Sequence, residues 1–288
     1  MKRFKVWQTY YLFILILGGF LILITGCGGG GDDRSPVLGA LCSGANCVDL
    51  GTAGDFVILA ETAITDTGSH SSAITGNIGL SAGTGAGIGV QCPEMTGEIY
   101  TVDALAAYAG GPGGSADNSC VKPGPGANKT TVDNAVGDMG TAYTDAAGRT
   151  PGIGNTNLYG GILEGQTLAP GVYKWTTDVS IGVTATGNLT LSGSSTDVWI
   201  FEISGNLTVG SKGSVPGGIK ILLSGGARSQ NIFWQVGGGT GATLGTYSTF
   251  NGIILSAMQV VIQTGAVLNG RVFAQSQVTL DANPITAP

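Results

Sequence analysis

The sequence predicts an all-β fold with one long α-helix, built as a β-solenoid, and three observations predict it. First, the tripeptides Ala242-Thr243-Leu244, Val260-Val261-Ile262 and Val278-Thr279-Leu280 recur every 18 residues, as do Asn251-Gly252 and Asn269-Gly270. Upstream, Gly187-Asn188-Leu189-Thr190-Leu191 returns at the same 18-residue interval as Gly205-Asn206-Leu207-Thr208-Val209. A stack of coils needs short alternating runs at a fixed period, because each coil buries its apolar side only against its neighbours. Second, 52 glycines with 10% charged and 42% hydrophobic residues are too apolar for disorder and too glycine-rich for a helical bundle. Third, one stretch, 131–147, carries apolar or small residues at helical spacing.

The chain opens with an address. Lys2, Arg3 and Lys5 precede an apolar run from Tyr11 to Ile24, and Ile24-Thr25-Gly26-Cys27 has the form of a lipobox. Residues 1–27 are therefore expected to be a lipoprotein signal peptide, with Cys27 lipidated as the mature N-terminus and the chain exported and anchored at a bacterial cell envelope. A plain membrane anchor is the alternative. Residues 28–48, beginning with four glycines, are expected to be a flexible tether, and 49–288 the folded domain. Loss of the three leader cations takes the formal charge from −6 to −9, which argues against a nucleic-acid partner.

With Cys27 assigned to lipid, Cys42, Cys47, Cys92 and Cys120 form an even set suited to an oxidising compartment. The expected pairing is Cys42–Cys47 and Cys92–Cys120, although spacing alone leaves connectivity open. Zinc is the competitor. The spacings lack C-x-x-C and His70 stands alone in a polar loop, so no metal and no cofactor are expected.

Residues 92–128 change grammar, mixing a possible short helix at 102–109 with a Gly/Pro-rich run, and are expected to be a cap or insertion. The long helix follows. Its stripe is Val132, Ala135, Val136, Met139, Ala142, Tyr143 and Ala146, with Thr130 or Thr131 as N-cap and Gly148 as the stop. No basic face marks it for a membrane. From about residue 158 the coil pattern runs to the end.

Several ordered blocks carry a family resemblance. They include Leu50 to Ala60, Ser72 to Gly79, Asp145 to Thr150, Leu168-Ala169-Pro170-Gly171-Val172-Tyr173-Lys174-Trp175, Leu223 to Ala227, Asn231-Ile232-Phe233-Trp234-Gln235-Val236 and Leu280 to Pro288. Together they resemble the microbial ice-binding protein family of the DUF3494 type over nearly all of 49–288. The resemblance implies a right-handed, discontinuous, three-faced solenoid with the helix packed alongside, and a flat face that adsorbs to an ice crystal. The family's ice-facing Thr-Ala/Gly-X-Thr/Asn pattern fits Thr62 to Thr65 and Thr240 to Thr243 in full. It fits Gly187 to Thr190, Gly205 to Thr208 and Ser276 to Thr279 in part.

Candidate ice-binding residues are accordingly Thr62, Thr65, Thr190, Asn206, Thr208, Thr240, Thr243, Ser276 and Thr279. Alternation points Val278 and Leu280 inward and leaves Gln277 and Thr279 outward. Met258, Gln259 and Val261 depart from the pattern. Val261 lacks a hydroxyl and the long amides carry rotamer entropy, so modest affinity or a shifted site is expected.

The alternative from another class is a cell-surface structural or adhesive solenoid binding polysaccharide or protein, which exposed aromatic residues would support. Trp175, Trp199 and Trp234 sit in alternating apolar strands and read as core. An enzyme is not expected: Asp178, Asp197 and Glu202 are scattered along the coils and His70 has no evident partner. The expected state is a monomer.

Overall fold

The computed structural model describes residues 42, 46–68, 70–104, 117–184, 187–211 and 218–288. The expected leader 1–27 with its lipobox Cys27, most of the 28–48 tether, and residues 105–109 of the short helix expected at 102–109 lie outside the described residues.

The protein is mostly β, with parallel sheets and one helix. The longest sheet has 12 strands; its path runs Gly171–Trp175, Trp199–Ile203, Ile232–Val236, Thr249–Ser256, Val267–Ala274, then Phe56–Ala60, Asn77–Leu80, Ile99–Tyr100 and Val121–Lys122. A second sheet has six strands, in the order Val179–Ile181, Leu207–Val209, Ala242–Leu244, Val260–Ile262, Gln277–Leu280 and Ala63–Asp66. A third has three, Thr167–Leu168, Leu189–Ser192 and Ile221–Ser224. From Gly171 to Ser224 the chain passes twice through the long, the six-stranded and the three-stranded sheet in that order, whereas after Ala242–Leu244 and Val260–Ile262 it returns directly to the long sheet.

The spacing between successive visits is not uniform. Ala242 pairs with Val260, and Val260 with Val278, at the expected 18 residues. Val179 pairs instead with Leu207, 28 residues on, and Leu207 with Ala242, 35 residues on. The echo between Gly187-Asn188-Leu189 and Gly205-Asn206-Leu207 therefore links two different sheets of one circuit and is not a coil repeat. Longer bends between strands account for the difference. Asn251-Gly252 and Asn269-Gly270 do pair in register, yet inside continuous eight-residue strands. Gly252, at φ +123°, allows that strand to bend, and a Cβ there would press on Trp234 and Ile232.

Two cores result. Inside the stack, Trp175, Trp199 and Trp234 are fully buried, as their alternating strands predicted. Trp234 stacks on Phe201 with ring centroids 4.0 Å apart and tilts against Phe250 at 5.2 Å. Their indole N–H groups reach backbone carbonyls, Trp175 donating to Leu158 at 2.9 Å and Trp234 to Asn251 at 3.2 Å. Outside, the helix Ala127–Ala147 covers the long sheet. Its Val132, Ala135, Met139, Ala142 and Ala146 meet Phe56, Leu59, Ile200, Phe233, Ile253, Leu255 and Phe273. Covered on both sides, strands such as Trp199–Ile203 are buried throughout, as parallel sheets require.

The helix begins four residues before the expected start. Gly126, at φ +110°, is the N-cap, whereas the Thr130 and Thr131 hydroxyls donate back to the carbonyls of Gly126 and Ala127. Gly148 ends it as expected. Both expected disulfides are present, Cys42–Cys47 and Cys92–Cys120. The second closes the segment whose strands Ile99–Tyr100 and Val121–Lys122 finish the long sheet. Among the described residues no helix is long and apolar enough to cross a membrane.

Among the described residues, the first strand is inserted beside one of the last. Ile58, Leu59 and Ala60 pair with Val272, Phe273 and Ala274, while Ile78, Gly79 and Leu80 flank them on the other side. Arg271, fully buried, fastens this junction, its Nε donating to the Phe56 carbonyl at 3.1 Å and its Nη2 to that of Gly54 at 3.0 Å. Arg271→Ala would leave both carbonyls unpaired and a cavity behind. A loss of about 3 kcal/mol or more is expected in denaturant unfolding. A loss below about 1 kcal/mol would show that the guanidinium does not fasten the junction.

Candidate functional site

The six-stranded sheet is where alternation and register combine to make a surface. Inward residues of each strand, Val179, Leu207, Ala242, Val260, Val278 and Ile64, are fully buried. The residue after each of these points outward, and register places Ser180, Thr208, Thr243, Val261, Thr279 and Thr65 in one column across six rungs. All six are half-buried. Adjacent hydroxyls at the end of the column touch, Thr65 Oγ1 donating to Thr279 Oγ1 at 3.1 Å.

Four sequence-predicted residues, Thr65, Thr208, Thr243 and Thr279, thus fall together in this column. Thr62, Thr240 and Ser276 sit one bend earlier, at the entry to the same strands. Thr62 and Thr240 are exposed and Ser276 half-buried; Thr62 N–H donates to the Ser276 carbonyl at 2.9 Å. Met258 interrupts this entry row with an exposed thioether.

Two candidates fall elsewhere in role or place. Thr190 belongs to the three-stranded sheet, paired with Leu222 and Thr167, and does not share the column. The misleading 18-residue echo put it there. Asn206 borders the column, but its side chain works within the scaffold. Its Oδ1 accepts from Thr240 N–H at 2.9 Å, and its Nδ2 donates to Asp178 Oδ1 at 3.2 Å. Ser180 is a column member that sequence reasoning missed; the alternation of Val179-Ser180-Ile181 was the available signal.

The departing coil is also better ordered than its sequence implied. Gln277 Nε2 donates to Gln259 Oε1 at 2.9 Å, so the two amides hold each other and lose the rotamer freedom that had counted against them. Val261 keeps the column's shape without its hydroxyl. Beside the column, Thr67, Thr246, Gln263, Thr264 and Asp281 line a shallow trough of roughly 330 Å³ that also touches Val261 and Thr279. Its polar groups are tied together. Gln263 Oε1 accepts from Ser211 Oγ and from Thr246 N–H, each at 3.1 Å, and Thr264 donates to Asp281.

At the far end of this sheet the structure corrects a second reading. His70, alone in the sequence, lies with its Nδ1 3.4 Å from Glu94 Oε2, and Asp66 joins them within 4.8 Å. Asp66 and His70 lie close together on one strand end and its bend, and Glu94 reaches them from further along the chain, so no compact metal-ligand spacing marks the set in the sequence. Burial holds the Glu94 carboxyl above its ordinary range; the Gln91 and Ser72 N–H groups oppose this, and the facing Asp66 carboxyl adds to it.

A family model described as ice-binding-like matches residues 58–286. An ice-binding protein of Colwellia sp. is 43% identical over 86% of this chain and 87% of its own length. One of Flavobacterium frigoris is 43% identical over 84% of this chain and 76% of its own. The crystal structure of a glycosylated ice-binding protein from an Arctic yeast superposes with a TM-score of 0.69 at 33% identity, covering 84% of this chain and 94% of that one. Fold and sequence agree, and the chain belongs to the ice-binding-like family.

Proposed function

We propose that the chain binds ice through the outer face of its six-stranded sheet, acting as a right-handed, three-faced solenoid with the helix packed alongside. The observation that carries this reading is the column Ser180, Thr208, Thr243, Val261, Thr279 and Thr65 on six successive rungs. Neighbouring strands repeat at about 4.7–4.9 Å, so short side chains in register make a flat lattice of methyl and hydroxyl groups. Such a lattice can order water into an ice-like layer. Each contact is weak; affinity comes from their number and from a scaffold that needs no ordering when it binds.

The names borne by the relatives support the same reading. The alternative of a sugar-binding adhesive face loses its best support, because the three tryptophans that such a face would display are buried. Adsorption to ice requires no bond-making residue and no cofactor. We further propose that residues 1–27 direct export, that Cys27 carries lipid at the bacterial cell surface, that 28–48 is the tether, that 92–128 caps the stack, and that the protein is a monomer.

A Thr243→Tyr, Thr279→Tyr double variant tests the face. Both side chains are half-buried and point outward, and Thr279 also accepts a hydrogen bond from Thr65, so a loss of about 1 kcal/mol per site is expected and the fold should be kept. Ice recrystallisation inhibition should need roughly ten times more protein, the equivalent of ~1.4 kcal/mol. Full activity in the folded variant would move the site off this face. Val261→Thr restores the missing hydroxyl at nearly constant volume and should strengthen inhibition several-fold; unchanged activity would mean that the column does not reach the ice at that rung.

A further inference from the structure

The corner where the six-stranded sheet ends holds a group that the ice face does not use. Asp66 pairs with Leu280, at the inward position that Leu244 and Ile262 occupy on earlier rungs. A carboxylate at an apolar core position is unusual, and this one is 3% exposed. Its Oδ1 accepts from Gly68 N–H at 3.0 Å, but its Oδ2 is buried with no hydrogen-bond donor among the described residues. An orphaned buried carboxylate oxygen is costly.

Glu94, 6% exposed, approaches the same point from the next coil. Its Oε1 accepts from Ser72 N–H at 3.2 Å and its Oε2 from Gln91 N–H at 2.8 Å, with His70 Nδ1 3.4 Å from Oε2. One ligand atom from each of Asp66, His70 and Glu94 lies within 4.8 Å of the other two. Two buried carboxylates facing each other repel strongly where the dielectric is low, and a cation between them would reverse the sign of that interaction.

We infer that Asp66, His70 and Glu94 bind one divalent ion of the zinc class. An imidazole nitrogen with two carboxylate oxygens suits zinc and its transition-metal neighbours; calcium and magnesium take all-oxygen sets. The separation of 3.4 Å between His70 Nδ1 and Glu94 Oε2 fits one edge of a tetrahedron with bonds of about 2.0–2.1 Å, for which the edge is about 3.3–3.4 Å. The ion would tie three pieces of chain together: the strand carrying Thr65, the bend leading to Ala73, and the turn beside the Cys92–Cys120 disulfide. Its effect is to brace the last rung of the column.

The test is thermal unfolding of the full chain after EDTA treatment and dialysis, with ZnCl2, CaCl2 or no ion, beside Asp66→Asn and His70→Ala. Zinc at a hundredfold excess over its Kd is expected to raise the midpoint by roughly 5–10 °C, calcium not to, and both variants to lose the zinc shift. Asp66→Asn removes one of two facing charges and should fold at least as stably as the ion-free parent, so it keeps the comparison readable if His70→Ala is destabilised. Visible absorption of bound Co2+, lost in His70→Ala, reads the site without reference to stability. No zinc shift, an equal shift with calcium, or a zinc shift that survives in Asp66→Asn would overturn the inference.

Discussion

The insertion of Phe56–Ala60 between Val267–Ala274 and Asn77–Leu80 is the constraint on which the rest of the structure depends. A stack of coils ends in open strand edges, and here the last-made coil of the sequence is closed by its first. The same junction brings Ala63–Asp66 onto Gln277–Leu280, and so adds Thr65 to the column that already contains Thr279. Without it the six-stranded sheet would stop at Thr279, and the Cys92–Cys120 segment would have no edge on which to build. Arg271 and the helix both press on this junction, one through the carbonyls of Phe56 and Gly54, the other through Phe56, Leu59 and Phe273. Pairing residues more than 200 positions apart also means that the junction carries a high loop-closure cost, which local contacts cannot offset.

The column owes its regular register to what lies behind it. Thr208, Thr243 and Thr279 are each flanked along their strands by buried apolar residues, as Thr243 is by Ala242 and Leu244, and those residues pack on an aromatic and aliphatic interior. Backbone position is therefore set from the inside, and the outward side chains inherit the strand spacing. The polar network of Asn206, Thr240, Gln259, Gln277 and Gln263 then holds the margins of the face. Amides that would be floppy on an isolated strand are fixed here by an identical residue one rung away.

Much of this was legible in the sequence. The 18-residue register of Ala242, Val260 and Val278 could be read directly because the last coils have bends of equal length, and alternation within them gave the correct inward and outward residues. The helix was legible for a similarly local reason, whereas spacing left the disulfide connectivity open, and it is the structure that shows Cys42–Cys47 and Cys92–Cys120. Coil lengths of 28 and 35 residues were not, because the extra residues lie in bends that leave no periodic trace. That is why Thr190 was assigned to the column and Ser180 was overlooked. The convergence of Asp66, His70 and Glu94 was hidden for a further reason: Asp66 reads as the polar end of a strand, and only its pairing with Leu280 reveals that it faces inward.

On the proposed reading one face, the outer side of the six-stranded sheet, meets ice and no other does. The most direct measurement is partition of the chain into a slowly growing ice hemisphere for three single variants: Thr208→Tyr on the six-stranded sheet, Thr190→Tyr on the three-stranded sheet and Asn134→Tyr on the exposed side of the helix. The Thr208 variant is expected to be excluded from the ice and the other two to be incorporated like the parent. Incorporation of the Thr208 variant together with exclusion of either of the others would place the ice-binding face elsewhere.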